Sequence, residues 1–283
     1  MIAGREPRQR ARRGIVLPAV VRHRAEVNRS HRVRNPDQLV KMIDACGFAY
    51  GFTLRAGDAA IPACFDHLST SDDAQRWSWM WVWKDELPEA KRLYYGALLV
   101  RKPTFVSNAF LPTFYATFGR AGEADDHHED VRAGRLSDTG RRIIEYLGAK
   151  GETQTKRMRA ELGITSKEGK LQYGKAIDEV QRLMYVARVR AVGEGREDYN
   201  YTYDLFVRRY PEIVKAAERI SSSDATLALL ERTLELAGAV TPKQLARLFE
   251  WDEALQERAT LRAIERGTVV DRDGALVLAS LSR

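Results

Sequence analysis

From residue 137 to the C-terminus, apolar and polar positions follow a pattern that occurs twice. Ser137 precedes a segment with Ile143, Ile144 and Leu147 on one helical face and glycines at 148 and 151, which predicts a capped helix. A shorter helix follows in "ETQTKRMRAELG", closed by Gly163, with Met158 and Leu162 facing inward. Thr165 or Ser166 then caps a third helix, in which Leu171, Ile177, Val180, Leu183 and Met184 recur at helical spacing. The period next changes to two. "VARVRAV" and "YNYTYDLF", separated by "GEGRED", predict a β-hairpin with Tyr199, Tyr201 and Tyr203 alternating. Three helices followed by a hairpin is the order of a winged helix-turn-helix. The same order returns in "SSDATLALLERTLELAG", in "TPKQLARLFEW" with Pro242 at a helix start, and in "DEALQERATLRAIERG". "TVV" and "ALVLAS" then form a short hairpin that turns at Asp273-Gly274.

Upstream the pattern is less regular. "NPDQLVKMIDACGFAYGF" predicts a helix starting near Asn35, with Leu39, Ile43 and Cys46 on one face. Residues 62–120 are rich in aromatics and prolines and read as a compact subdomain of short helices and strands. Within it, "RWSWMWVWKD" carries Trp77, Trp79, Trp81 and Trp83 at every second position. That alternation predicts an extended strand with all four rings on one side and Ser78, Met80 and Val82 on the other. Four exposed indoles would make a large apolar patch, so at least three are expected to be buried. Trp77 and Trp83, at the ends of the run, are the candidates for stacking an unpaired base.

The expected fold is therefore α+β and mostly helical: tandem winged helix-turn-helix units with an aromatic-rich N-terminal subdomain. The expected division is a flexible basic arm at 1–34, the helical and aromatic subdomain at 35–135, a first winged helix at 136–212 and a second at 220–283.

Charge is unevenly placed. The 283-residue chain has a formal net charge of +7. Residues 1–34 contain ten arginines and two glutamates, a net of +8, which leaves the rest at −1. An arm of this kind can lie along a phosphate backbone and release counterions; a solvated leader is the other reading. Cys46 and Cys64 form neither a C-x-x-C pair nor a histidine-spaced array, so reduced thiols in a cytoplasmic, nucleoid-associated protein are expected. No uncharged apolar run reaches the roughly 18 residues that a membrane helix needs. "DDHHED" gathers His127 and His128 among four acids, but neighbouring residues on a loop do not converge on an ion unaided, so neither metal nor cofactor is expected.

The stretches "ACGFAYGF", "WVWKDELPEAKRLYYGALLVRKPTFVSNAFLPTFYA", "AGRLSDTGRRIIEYLGAKG" and "YNYTYDLFVRRYPE" together resemble the AlkZ-related proteins. These are relatives of the AlkZ/YcaQ winged-helix DNA glycosylases, which excise alkylated bases and unhook crosslinks. The resemblance spans roughly residues 36–280. That family carries a Gln-x-Gln or Gln-x-Asp motif just after a Gly-aromatic pair. Here the matching stretch is Gly47-Phe48-Ala49-Tyr50-Gly51-Phe52, which sets Tyr50 and Phe52 at the two motif positions. A phenol with a pKa near 10 is a poor base at neutral pH, and phenylalanine has no lone pair. Base excision would then need another carboxylate, Asp44, Asp58 or Asp85. Asp85, beside the Trp run, is the first candidate, with a helix-cap role as its alternative.

Lys167, Lys170, Gln172, Tyr173 and Lys175 occupy the front half of the expected recognition helix, and Arg188, Arg190 and Arg196 lie in or beside the wing. In the second unit Gln256, Arg258 and Arg262 are interspersed with glutamates and read as packing residues. The expected function is a DNA-binding protein related to repair glycosylases. Its partner is double-stranded DNA, intact, distorted or alkylated, bound without the family's usual excision residues. An active glycosylase with a rearranged site is the alternative, and a winged-helix protein-interaction module the third reading.

Overall fold

The computed structural model describes residues 17–53, 60–118, 126–193 and 198–282. The chain opens with helix α1 (Pro18–Arg29) and helix α2 (Pro36–Cys46). Asn35 caps α2 by accepting from the Gln38 N–H, and Gly47, at φ +80°, ends it. Strand β1 (Phe48–Tyr50), the short helix α3 (Cys64–His67), the long helix α4 (Asp73–Glu89) and strands β2 (Tyr94–Leu99) and β3 (Lys102–Val106) come next. The three strands form an antiparallel sheet in the order β1-β3-β2, with Tyr50 opposite Thr104 and Tyr95 opposite Phe105. Helices α5 (Leu111–Ala116) and α6 (Asp126–Arg132) complete this part.

The next unit runs helix α7 (Asp138–Lys150), strand β4 (Thr153–Gln154), helices α8 (Thr155–Glu161) and α9 (Lys167–Arg182), and strands β5 (Val186–Val192) and β6 (Asn200–Leu205). Ser137 and Ser166 accept from the backbone at Gly140 and Gly169, so both anticipated caps are used. After helices α10 (Phe206–Arg209) and α11 (Pro211–Ala217), the order repeats: α12 (Ser222–Ala237), β7 (Ala239–Val240), α13 (Pro242–Phe249), α14 (Glu253–Glu265), β8 (Val269–Arg272) and β9 (Ala275–Leu278), then a 3-10 turn at Ala279–Leu281. Each unit holds a three-stranded sheet in which the last strand lies centrally, β4-β6-β5 and β7-β9-β8. The two-residue strands β4 and β7 are too short to leave a period in the sequence. Asp273 and Gly274 both take positive φ, as a two-residue hairpin turn requires. No helix among the described residues is long and apolar enough to cross a membrane.

Two hydrophobic clusters hold these elements. One centres on Ile143, Leu147, Met158, Ile177 and Val180, with Phe118 and Val131 packed against it from the preceding part. The other runs without a break from the N-terminal sheet through Leu230 and Leu234 of α12 to Leu276 of β9.

Two expectations are corrected. The Trp run is not a strand but the middle of α4. Asp72 caps this helix by accepting from Ala74 and Gln75, and good helix formers flank the tryptophans on both sides. Over 17 residues the helical period prevails: Met80, Trp83 and Leu87 are buried, while Trp77 and Trp81 remain 54 % and 48 % exposed. Only Trp83 of the four indoles is fully buried, so the expected burial of three does not hold. The second correction concerns the arm, of which residues 18–29 are helix α1, packed on α12 through the buried Val20. Arg24 donates from Nε and Nη2 to the carbonyls of Ala237 and Ala239, at 2.6 and 2.9 Å, where α12 ends and its own helix supplies no donor. Gly238 permits the approach, since a Cβ there would lie 3.2 Å from both His23 and Val20.

Candidate functional site

Trp77, Trp81 and Asp85 are spaced by four residues, so they share one strip of α4. The strip faces two other parts of the chain. At its N-terminal end the Trp77 ring stacks on Phe52 at 5.6 Å between centroids and packs against Phe65 at 4.6 Å. Further along, Trp81 meets Tyr199, just before β6, at 5.0 Å. Two exposed indoles, each backed by a second ring, form an aromatic wall open to solvent.

A buried polar cluster supports the wall. The Lys84 ammonium, 3 % exposed, donates to Asp85 Oδ2 at 2.7 Å, to the Tyr199 hydroxyl, and to the Tyr201 hydroxyl at 3.3 Å. It also lies 4.0 Å from the centre of the Trp81 ring, fixing that indole by a cation–π contact. Burial pulls Lys84 below its ordinary pKa, opposed by the hydrogen bond and charge of Asp85. Tyr199 donates to Asp85 Oδ2; burial first, and then that bond, raise its pKa and keep the phenol neutral. Asp85 Oδ1 is buried and meets no hydrogen-bond donor among the described residues. Arg188 lies 3.5 Å over the Tyr201 ring and 4.9 Å from that of Tyr95. Burial opposes its charge, but Tyr203, Tyr201, Tyr95 and Asp85 outweigh burial and raise its pKa.

Tyr95 links this cluster to the Gly-aromatic stretch. A Cβ at Gly51 would lie 3.2 Å from the Tyr95 ring, so glycine here lets that ring pack closely against the stretch. Tyr50 itself points into the core at 1 % exposure, whereas Phe52 emerges beside Trp77. Of the two carboxyl and phenol candidates, Asp85 therefore lies at the aromatic wall and Tyr50 behind it. Asp44 is exposed on α2, and Asp58 lies outside the described residues.

The stacking and backbone candidates divide in the same way. Trp83 is 6 % exposed and stacks on Trp79, so it has no free face for a base; Trp81, which the period-two reading passed over, takes its place. Reading the run with a helical period from the Asp72 cap is the signal that would have found it. Lys167, Lys170, Gln172 and Lys175 are all exposed along α9. Tyr173 is not: it is 2 % exposed and donates to Met158 Sδ, which makes it a core residue. Arg190 is exposed and pairs with Glu152 at 2.6 Å. Arg188, held between rings, is a support for the wall rather than a free wing cation. Arg196 lies outside the described residues. Arg262, partly exposed, pairs with Asp224 at 2.7 Å.

Comparison with known proteins places this geometry. A search of curated proteins returns no match. The fold is similar to that of a Streptomyces sahachiroi DNA glycosylase, AlkZ, with a TM-score of 0.56 at 12 % identity, covering 93 % of this chain and 69 % of that one. The sequence model of the AlkZ-related family matches residues 33–250, and the chain belongs to that family.

Proposed function

We propose that the protein binds duplex DNA through tandem winged helix-turn-helix units and reads distorted or alkylated sites, without the excision residues usual in the glycosylases it is related to. One observation carries this reading: Trp77 and Trp81 stand exposed on one strip of α4, backed by Phe52 and Tyr199, in a chain of the AlkZ-related family. An exposed indole pair clamped by half-buried rings and a buried lysine is an unfavourable arrangement to leave in water, and an unstacked base is a ligand that would cover it. Exposed Lys167, Lys170 and Lys175 along α9 suit contacts to the phosphate backbone, which supply affinity but no sequence preference. The test is fluorescence anisotropy against matched duplexes, one intact and one with a stable abasic-site analogue, over a salt series. Tighter binding to the lesion that survives added salt supports the reading. Equal binding that vanishes with salt would assign the affinity to phosphate contacts alone and remove the lesion-reading role.

A second reading is favoured by Asp85, whose buried Oδ1 meets no hydrogen-bond donor among the described residues while Oδ2 is held by Lys84 and Tyr199. A carboxylate fixed by one oxygen can direct the other at a water. In that case the chain releases alkylated bases from duplex DNA, and Asp85→Asn abolishes release while leaving lesion binding intact.

A further inference from the structure

Outside the aromatic wall, three side chains of metal-ligating type converge where α6 meets α7. His127 and His128 are neighbours on α6, and Glu145 lies one turn from the end of α7. Adjacent helical residues ordinarily diverge by about 100° around the axis, so two such imidazoles do not meet by default. Here the two rings lie 4.0 Å apart between centroids, inclined by 35°. Each Nε2 lies 3.9 Å from the same Oε1 of Glu145, and the ligand atoms all lie within 4.8 Å of one another.

That separation is too long for a hydrogen bond and suited to an ion. Ligands about 2.1 Å from a tetrahedral cation lie roughly 3.4 Å from one another; each imidazole at 3.9 Å from Glu145 would close by about 0.5 Å, and the set as a whole spans up to 4.8 Å before an ion draws it in. The anchoring is sound: α7 is fixed by Ile143, Ile144 and Leu147 in the core of its unit, and His127 is 8 % exposed. The outer side is open, with the His128 and Glu145 side chains 43 % and 38 % exposed, so an ion can enter and keep a water. Arg141 is the competing partner, its Nη1 being 2.6 and 2.7 Å from the two Glu145 oxygens. It also grips Asp138 through Nε and Nη2, so it keeps a partner when Glu145 turns to a metal.

We propose that His127, His128 and Glu145 form a binding site for one divalent first-row transition-metal ion of the zinc and cobalt class, joining α6 to α7. Two imidazoles and one carboxylate suit such an ion better than magnesium or calcium, which favour all-oxygen shells. Sequence spacing pointed away from a metal because Glu145, the third ligand, stands 17 residues further on and on another helix.

The untagged full-length chain, stripped with a chelator, is titrated with cobalt(II) while the visible absorption is followed, then with zinc in competition. One equivalent should bind and raise Tm. His128→Ala and Glu145→Gln, both partly exposed positions, should each weaken binding at least about tenfold while the metal-free circular dichroism stays unchanged. Arg141→Gln, which releases Glu145, should tighten it. Binding of the same affinity and stoichiometry in both ligand variants, or none at millimolar cobalt(II), overturns the site. If one ligand variant does not fold, the other decides alone.

Discussion

The four tryptophans of α4 have identical chemistry and opposite roles, and the difference is which way each ring points. Trp83 fills the core beside Trp79, so Trp83→Ala leaves a cavity and should cost about 3–5 kcal/mol in denaturant unfolding. Trp81 stands half in solvent over Lys84. Trp81→Ala should change stability little but cost roughly 1–3 kcal/mol in binding to an abasic-analogue duplex, read by anisotropy. Equal loss of binding in both variants, scaled to stability, would show that the wall matters only to folding. Lys84 behaves differently again. Its side chain and that of Asp85 are 4 % and 14 % exposed, so Lys84→Met strands a buried carboxylate and should destabilise by about 3–5 kcal/mol. A variant that also carries Asp85→Asn should recover part of that loss.

Among the elements, caps and side-chain ties between helices carry much of the definition. Ser137 accepts from Gly140 N–H at the start of α7, and its hydroxyl donates to Glu179 of α9 at 2.5 Å, so one residue both starts a helix and ties it to α9. Ser137→Ala should cost about 1 kcal/mol or somewhat more in thermal or chemical denaturation, with the wild-type fold retained. Arg24 does the equivalent at the other end of a helix, closing α12 from outside. Arg24→Ala removes two hydrogen bonds from a charged donor to part-buried carbonyls and should lower stability by about 1–3 kcal/mol. An unchanged midpoint would mean that Val20 and the His23 bond to the Glu235 carbonyl hold α1 without Arg24.

Across the whole molecule, buried tyrosines set the response to alkali. Burial is the leading cause that raises the pKa of Tyr94, Tyr95, Tyr173, Tyr199, Tyr201, Tyr203 and Tyr210, although Arg188 opposes it at Tyr94, Tyr95, Tyr201 and Tyr203. The folded state therefore keeps protons that the unfolded chain releases near pH 10. Stability from these phenols is fully present below that pH and falls as pH rises above it, because the native state then binds more protons than the unfolded one. Denaturation midpoints measured from pH 8 to 11 should fall steeply above about pH 10, with tyrosinate absorbance rising in the same step as unfolding. Tyrosinate appearing well before unfolding would mean that these phenols are accessible in the native state.

The elements whose information is local were legible in the chain. Ser137, Ser166, Pro242 and Asp273-Gly274 each specify a start or a turn through their own backbone preferences, and they fall where helices α7, α9 and α13 and the C-terminal hairpin begin or turn. The Trp run was misread because a period of two over seven residues is also compatible with a helix, and the inward face is chosen by what packs against it. The same limit hid Tyr173, a polar-looking position of α9 that the fold turns inward. The cluster of Lys84, Asp85, Arg188, Tyr199 and Tyr201 joins positions more than a hundred residues apart, as does the docking of Arg24 on α12. Such contacts have no period, since they depend on how complete elements meet, and chain order carries no record of which faces those will be.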